Sequence, residues 1–422
     1  MKNKSERILI IGEAFYPEEF LINDLVKEWE KKGYQPEVLT RTPSYPFGKV
    51  FPGYRNKLYQ KENWGNTIIH RFPVIPGYHK STFIKILNYL SFVLFGSVIA
   101  LFIARRYKGI FIYHTGPLSL AIPGILIKKL TGVPVTIWSF DLWPATVYAY
   151  GFRKTKLLSW FLNGFVRWIY KNCDNIIVSS QGFVEELKKY TDKPIHFAPN
   201  WSQTDNINCE KSSVTLNSRK CHFTFTGNVG KVQNLENVIM GFHKASLNNS
   251  QLNIIGDGSN LNFLKKMVTE REIKNVIFHG RLPLVEISDV LNQSNVLVIS
   301  LKTDPVVAMT VPLKFQTYLH SAKPIFAIMQ GEVKRLVLKH NLGACANPND
   351  INEITEGFKN FNLSTRRKEE IRIQSEYLMD SAYNKKKIVR EISNIFFQNH
   401  NEVLIPSRQR LFSFRFLKKR IL

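Results

Sequence analysis

The run Phe225-Thr226-Gly227-Asn228-Val229-Gly230-Lys231-Val232-Gln233-Asn234-Leu235 closes an apolar stretch with two glycines and a lysine, then opens onto helical periodicity. A strand that stops at Gly227 and a helix that starts near Asn234 leave a short loop whose amides and Lys231 can face one anion, as a diphosphate cradle does. The spacing is neither the Walker pattern nor the Gly-x-Gly-x-x-Gly fingerprint, so a turn that uses glycine for shape alone stays open as the alternative. A second lysine, Lys314, follows Pro312-Leu313, where proline suits the first turn of a helix, and Arg281 follows a strand at 276–279. No Asp-x-Asp pair occurs, so the usual carboxylate handle for a metal-bound diphosphate is missing. Cations and helix N-termini would then carry that charge, and no metal site or cofactor is expected. Otherwise each of the three is an ordinary solvated cation in a chain that has 58 of them.

A second group of residues suits work on a hydroxyl. Asp141 stands at the end of a buried strand in Ser139-Phe140-Asp141-Leu142-Trp143-Pro144. There it either orients or deprotonates a hydroxyl in a cleft or caps the helix that follows. His114 ends the preceding strand and either reaches the same cleft or is a hydrogen-bonded structural histidine. Tyr45, Trp143 and Trp201 offer rings for stacking on sugars or bases, Trp201 alternatively packing a hinge. No separated carboxylate pair of the glycosidase type and no covalent nucleophile stands out.

Strands and helices alternate nearly throughout to hold these residues. Strands are expected at 8–11, 37–40, 67–72, 109–114, 133–139, 175–179 and 195–197, with a helix over 19–32 that stops at Gly33. From 201 to 220 the pattern dissolves into Ser, Thr, Asn, Gln and Lys, a linker. It restarts with strands at 222–226, 251–255, 276–279, 296–300 and 325–328. The expected fold class is therefore α/β, two doubly wound Rossmann-like domains facing across a cleft: 1–200, the linker 201–220, and 221–383, with a C-terminal helix and tail over 384–422. Ligands of such sheets bind outside the carboxyl ends of the strands.

At 422 residues the chain is too long for one hydrophobic core, and with 44% hydrophobic and 22% charged residues it is not disordered. The four cysteines show no Cys-x-x-Cys spacing, which argues against a metal cage or disulfide framework. Residues 1–7 run directly into a strand without a secretory signal, so a cytosolic location is expected. The 58 basic against 33 acidic residues, net +25, favour nucleic acid, anionic membrane or phosphorylated small molecules as partners. The charge is spread over both halves without a helix-turn-helix, zinc or RNP-like pattern, which disfavours nucleic acid.

Two stretches speak for a membrane surface. Residues 408–422 hold six Lys and Arg and no acid, interleaved with Leu411, Phe412, Phe414, Phe416 and Leu417, and read as a basic amphipathic helix or a solvated terminus. Residues 86–104 form 19 positions without a charge, long enough to span a bilayer. The α/β alternation that follows them favours a long helix on a sheet with one greasy face at the bilayer.

In order, Pro43-Ser44-Tyr45-Pro46-x-Gly48, Asp141-Leu142-Trp143-Pro144, Pro199-Asn200-Trp201, Gly227-Asn228-x-Gly230-Lys231-x-Gln233, Gly256-Asp257-Gly258 and Pro312-x-Lys314-x-Gln316-Thr317-Tyr318 resemble motifs of the GT-B glycosyltransferases of family four. The similarity is to the bacterial branch that builds O-antigen, capsule and colanic-acid type polysaccharides, N-acetylfucosaminyl transferases among them, and covers roughly residues 7–390. It implies retaining transfer from a UDP- or GDP-sugar bound by the second domain to a lipid-linked saccharide on the first, at the inner face of the cell membrane and without nucleic acid. Donor contacts are then expected from Gly227, Asn228, Gly230, Lys231, Arg281, Lys314, Thr317 and Glu332, with Asp141, Lys231 and Lys314 catalytic. Acceptor-side candidates are Tyr45, His114, Asp141 and Trp143. Two glutamates that many members carry fall at Met309 and Thr317 here, so Glu332 is the alternative ribose carboxylate unless it is only an acid at a helix start. The loop 12–17 lacks the relatives' second glycine.

Overall fold

The computed structural model describes residues 6–398 except 47, 78–80, 105–106, 150–151, 203–209 and 362. The basic tail 408–422 therefore lies outside the described residues. The first half comprises β1 (Arg7–Gly12), α1 (Leu21–Lys31), β2 (Gln35–Arg41), β3 (Gln60–Trp64), β4 (Thr67–Phe72), α2 (Thr82–Ile103), β5 (Ile110–His114), α3 (Ile122–Thr131), β6 (Val135–Ser139), α4 (Ala145–Ala149), α5 (Lys156–Asn172), β7 (Asn175–Val178), α6 (Gly182–Leu187) and β8 (Ile195–Phe197). The second comprises β9 (Cys221–Thr226), α7 (Leu235–Ala245), β10 (Ser250–Ile255), α8 (Leu261–Glu270), β11 (Val276–Gly280), α9 (Leu284–Gln293), β12 (Val296–Ser300), α10 (Pro305–Ala308), α11 (Leu313–His320), β13 (Ile325–Ile328), α12 (Glu332–Lys339), β14 (Gly343–Ala346), α13 (Ile351–Lys359), α14 (Thr365–Ser381) and α15 (Lys385–Gln398).

Each half has one sheet. The first runs β3-β4-β2-β1-β5-β6-β7-β8 and the second β11-β10-β9-β12-β13-β14. Among the described residues only β3 runs antiparallel to its neighbour. The central strands β1, β5 and β12 are nearly continuous apolar runs because helices cover both of their faces, and the polar residues of β6 and β9, such as Thr136, His222 and Thr224, are buried with them. Strand order reverses between β1 and β5 and between β9 and β12, so each sheet opens a crevice at those carboxyl ends.

The first sheet packs α2, α3 and α5 on one face and α1 on the other. On the α1 side it also receives α15. Ile388, Val389, Ile392 and Phe396 join the cluster around Trp29, whose indole donates to Ser393 Oγ at 3.0 Å, and Lys385 pairs with Asp24 at 2.9 Å. The last helix thus returns to the first sheet and ties the two halves together.

Two features differ from the sequence reading, and a third, the helix over most of 86–104, agrees with it. Strands β3 and β14 were not expected, the first polar and alternating, the second a short Gly-Ala-Cys-Ala run. The described part of the linker lies along α9, where Ser212 N donates to Asp289 at 2.9 Å and Leu216 N to Gln293 at 2.8 Å. Most of 86–104 lies within α2, whose inner face packs on the sheet.

Candidate active site

The glycines of the second sheet are dictated by close backbone approach. Gly227 leaves β9 at φ +120°, and its amide donates to the Ile255 carbonyl at 2.9 Å, while Val229 N donates to Asp257 O at 2.9 Å. Gly256, at φ +141°, lies so near that a Cβ there would come within 1.8 Å of the Gly227 oxygen, and one at Gly258 within 2.6 Å of Val229 C. The Gly227 and Gly256-Asp257-Gly258 motifs are therefore two halves of one interlocked turn at the ends of β9 and β10.

Lys314 enters this turn from α11. Its Nζ lies 3.3 Å from where a Cβ on Gly227 would sit and 3.7 Å from the centroid of the Phe225 ring. It is sealed from solvent with no hydrogen-bond partner, and burial alone lowers its pKa to about 7. One turn along α11, the Tyr318 hydroxyl accepts from Thr226 N at 2.9 Å and donates to Val298 O at 3.2 Å, which locks the helix to the end of β9 and the middle of β12. An unpaired buried ammonium is costly unless something anionic meets it.

The other donor-side candidates spread around this turn. Lys231 is exposed at the start of a 3-10 turn, Lys231–Gln233, that leads into α7, and Asn228 is exposed beside it. Gly230 is buried, its amide donating to Gln233 Oε1 at 3.0 Å. Arg281 follows β11, whose last residue, Gly280, accepts from the Gly256 amide at 2.7 Å. Thr317 spends its hydroxyl within α11, on the Leu313 carbonyl at 3.4 Å. Glu332 opens α12 and receives Arg335 Nε at 3.1 Å, so its carboxylate is held along its own helix.

The facing wall is built at the switch point of the first sheet. Arg41, almost fully buried, lies between Glu13 at 3.5 Å and Glu18 at 3.8 Å. Glu18 accepts the amides of Ser44 and Tyr45 at 2.9 and 2.6 Å, so this cluster fixes the loop that presents Tyr45. The Tyr45 ring is 46% exposed, and Arg281 of the opposite half acts on its hydroxyl electrostatically. Glu13, which the sequence reading passed over, points at Gly116, where a Cβ would meet Oε2 at 2.2 Å. Burial raises the pKa of Glu13 against the pull of Arg41. Asp141 is raised to about 7, first by burial and then by Glu13, with Lys85 opposing. Lys85 in turn is lowered by burial.

Asp141 makes no capping bond to α4, where Thr146 N donates instead to the Leu142 carbonyl at 2.8 Å. His114 is not open to a cleft. Its ring is buried, with Ser139 Oγ at 3.1 Å and the Gly116 carbonyl at 3.0 Å on its two nitrogens, and burial lowers its pKa to about 4. Trp143 also donates to Gly116 O, at 3.2 Å, and packs against the core. Both rings therefore hold the Gly116 turn against Glu13; for the fully buried His114 the cleft-facing role given above does not hold, while Trp143 stays half-buried. Trp201 is fully buried on Trp138, ring centroids 5.7 Å apart, and donates to Asp24 at 3.1 Å, so its ring packs in the core and is not open to a stacking ligand.

The two walls meet along 305–313. The Ser180 hydroxyl donates to the Met309 carbonyl, and Asn200 Nδ2 to Val311 O at 3.4 Å. Met309 and Trp143 pack on one cluster of the first half, and Leu313 and Phe140, the chain neighbours of Lys314 and Asp141, on the other. The Met309 side chain is part of that apolar contact. Among the described residues no three His, Cys, Asp or Glu side chains cluster as metal ligands do.

Comparison with known proteins now decides the family. The Glycosyltransferase Family 4 domain matches residues 19–205, and the Glycosyl transferases group 1 domain matches 207–376. The chain belongs to the GT-B glycosyltransferases of family four. This glycosyltransferase is 24% identical over 253 residues to a probable glycosyltransferase, WbjE, of Pseudomonas aeruginosa, a match spanning 56% of this chain and 62% of WbjE. It is 25% identical over 290 residues to the putative colanic acid biosynthesis glycosyl transferase WcaI of Escherichia coli, spanning 64% of this chain and 71% of WcaI. Among solved structures, Anabaena Alr3699/HepE in complex with UDP and glucose matches 92% of this chain and 98% of its own at TM-score 0.65 and 10% identity, a likeness of fold.

Proposed function

We propose that the protein transfers a hexose or N-acetylamino sugar from a UDP- or GDP-sugar to a lipid-linked saccharide during bacterial surface-polysaccharide assembly. The anomeric configuration is retained, no divalent metal takes part, and the reaction proceeds at the inner face of the cell membrane. The observation that carries this reading is Lys314 Nζ, buried, unpaired and aimed at the Gly227 turn. A departing nucleoside diphosphate supplies the anion that this ammonium lacks, and the interaction is strongest when negative charge develops on the leaving group. Lys231 and Arg281 add exposed cations at the same strand ends, and Asn228 stands exposed beside Lys231. HepE, of the same fold, binds UDP and glucose, which supports a nucleotide-sugar donor, and the names of WbjE and WcaI support polysaccharide synthesis.

On the acceptor side, Tyr45 and the Glu13–Asp141 pair line the crevice of the first sheet. The bond from the anomeric carbon to the diphosphate breaks, the acceptor oxygen bonds to that carbon, and the acceptor proton leaves to Asp141 or to the diphosphate itself. With its pKa near 7, Asp141 is poised to hold such a proton. The test is a panel of UDP- and GDP-sugars offered with a bacterial membrane extract, reading released nucleoside diphosphate. Acceptor-dependent release with one donor supports the reading. Tight donor binding with no release would make the protein a nucleotide-sugar sensor.

A further inference from the structure

Helix α2 is apolar all round, a composition that water-soluble proteins keep for helices covered on every side. Its inner face is covered. A Cβ at Gly96 would lie 3.2 Å from Phe72 and 3.3 Å from Pro123, and Asn88 Nδ2 donates to the Ile75 carbonyl at 2.6 Å. Its outer face is bare, with Phe83, Leu90, Leu94, Val98 and Phe102 exposed at intervals of one to two helical turns, Leu94 to 61%. Helix α5 repeats the division. Leu162, Val166 and Ile169 face the core, while Leu157, Trp160 and Phe161 face outward, Trp160 at 75%. Between the two, α3 touches both and exposes Leu130.

The charged residues of these three helices have one sign, Asp174 just past α5 being paired with Lys128 of α3 at 2.7 Å. None of α2, α3 and α5 contains an aspartate or glutamate. Lys129 sits 5.4 Å over the Trp168 ring and Lys154 5.7 Å over Tyr148, with Lys156, Arg167 and Lys171 on α5 itself. A hollow of about 450 Å³ between Trp160, Phe161, Phe165, Arg167 and Trp168 has Gly164 on its wall, with nothing within 4 Å of a Cβ there.

We propose that α2, α3 and α5 form one docking surface that lies flat on an anionic phospholipid bilayer. The outward side chains enter the acyl boundary, the tryptophans sit at the interface, and the lysines and Arg167 meet the lipid phosphates. The helix α2 lies in the interface and does not span, because its inner face is stitched to the sheet. The first turn of α2 carries Lys85, which acts on Glu13 and Asp141. The docking surface therefore ends beside the acceptor wall, where a lipid-linked substrate reaches Asp141 with its lipid still in the bilayer. This assignment deepens the proposed function and takes from it only the choice of a lipid-linked substrate.

The test is co-sedimentation of the full chain with vesicles of phosphatidylethanolamine and phosphatidylglycerol and, separately, of phosphatidylcholine. The wild type should prefer the anionic vesicles, and its tryptophan emission should shift to the blue on binding. Leu157→Ser/Trp160→Ser/Phe161→Ser should lower the partition constant about 100-fold, and Leu90→Ser/Leu94→Ser about tenfold, with unchanged thermal unfolding since all five side chains are exposed. Unchanged partitioning of both variants would overturn the proposal. So would a wild-type dimer that the same substitutions dissociate without loss of vesicle binding, which would make the surface a contact between two copies. A protein that binds vesicles through these residues yet releases no nucleoside diphosphate would support docking while sinking the glycosyl-transfer reading.

Discussion

Replacing Lys314 by Met removes the buried ammonium while keeping much of the side-chain volume. In the folded, ligand-free protein the Lys314 pKa is lowered by burial from 10.5 to about 7. At about 1.4 kcal/mol per pH unit, holding this lysine charged in the fold costs up to about 5 kcal/mol. The unfolded chain keeps its proton up to about pH 10.5 and the folded chain only to about 7, so stability rises with pH between the two values and the cost is fully present below 7. Lys314→Met should be more stable than wild type at neutral pH and lack that rise. At pH 8 only about one in ten wild-type molecules carries the charge, and a diphosphate beside Nζ restores it, so binding should take up about 0.9 proton. Calorimetry of UDP and GDP binding at pH 8, in two buffers of different ionisation enthalpy, measures this uptake. Near-zero uptake in the wild type with the nucleotide that binds, or equal uptake in Lys314→Met, would refute the placing of Lys314 against the diphosphate.

Lys231→Ala should slow the chemical step by roughly two to three orders of magnitude with the fold intact, and wild-type turnover in the folded variant would remove Lys231 from the site. The transfer rate should rise with pH through about 7 as Asp141 ionises. Asp141→Asn should lose transfer but keep donor binding, and unchanged transfer would strip Asp141 of any role in the chemistry. Activity should survive excess chelator, and a complete loss that magnesium restores would establish a metal site. Deleting 408–422 should release part of the protein from membranes at high salt, the remainder being held by the apolar helices; a truncated protein that resists both high salt and alkaline carbonate would mean that α2 spans the bilayer.

The parallel core strands were legible because residues such as Ile8 to Ile11 and Val296 to Ser300 are apolar at almost every position, as strands buried on both faces must be. Strand β3 was not, since Gln60-Lys61-Glu62-Asn63-Trp64 sits on an edge and carries no core signal. The Gly227 turn could be read from its glycines, but its partner, Gly256, shows its meaning only once the two backbones touch. Glu13 had a single local sign, an acid directly after a strand. Its weight comes from Arg41, Gly116 and Asp141, residues distant in sequence that only the switch point of the sheet brings near. The histidine at 114 and the indole at 143 looked available because strand ends face clefts, yet both donate to one carbonyl, that of Gly116, which spacing does not reveal. The apolar stripe of α5 is hidden in the linear sequence because Ser159, Asn163, Gly164 and Arg167 interrupt it.

The most direct test of sugar transfer follows the sugar itself. Nucleotide-sugars radiolabelled in the sugar are incubated with the full-length protein and a lipid extract, and the label in the organic phase is compared with the nucleoside diphosphate released. The account predicts that label enters the lipid fraction mole for mole with diphosphate, and that Lys314→Met abolishes both together. Diphosphate release with the label left in water as free sugar, or transfer that persists undiminished in Lys314→Met, would contradict it.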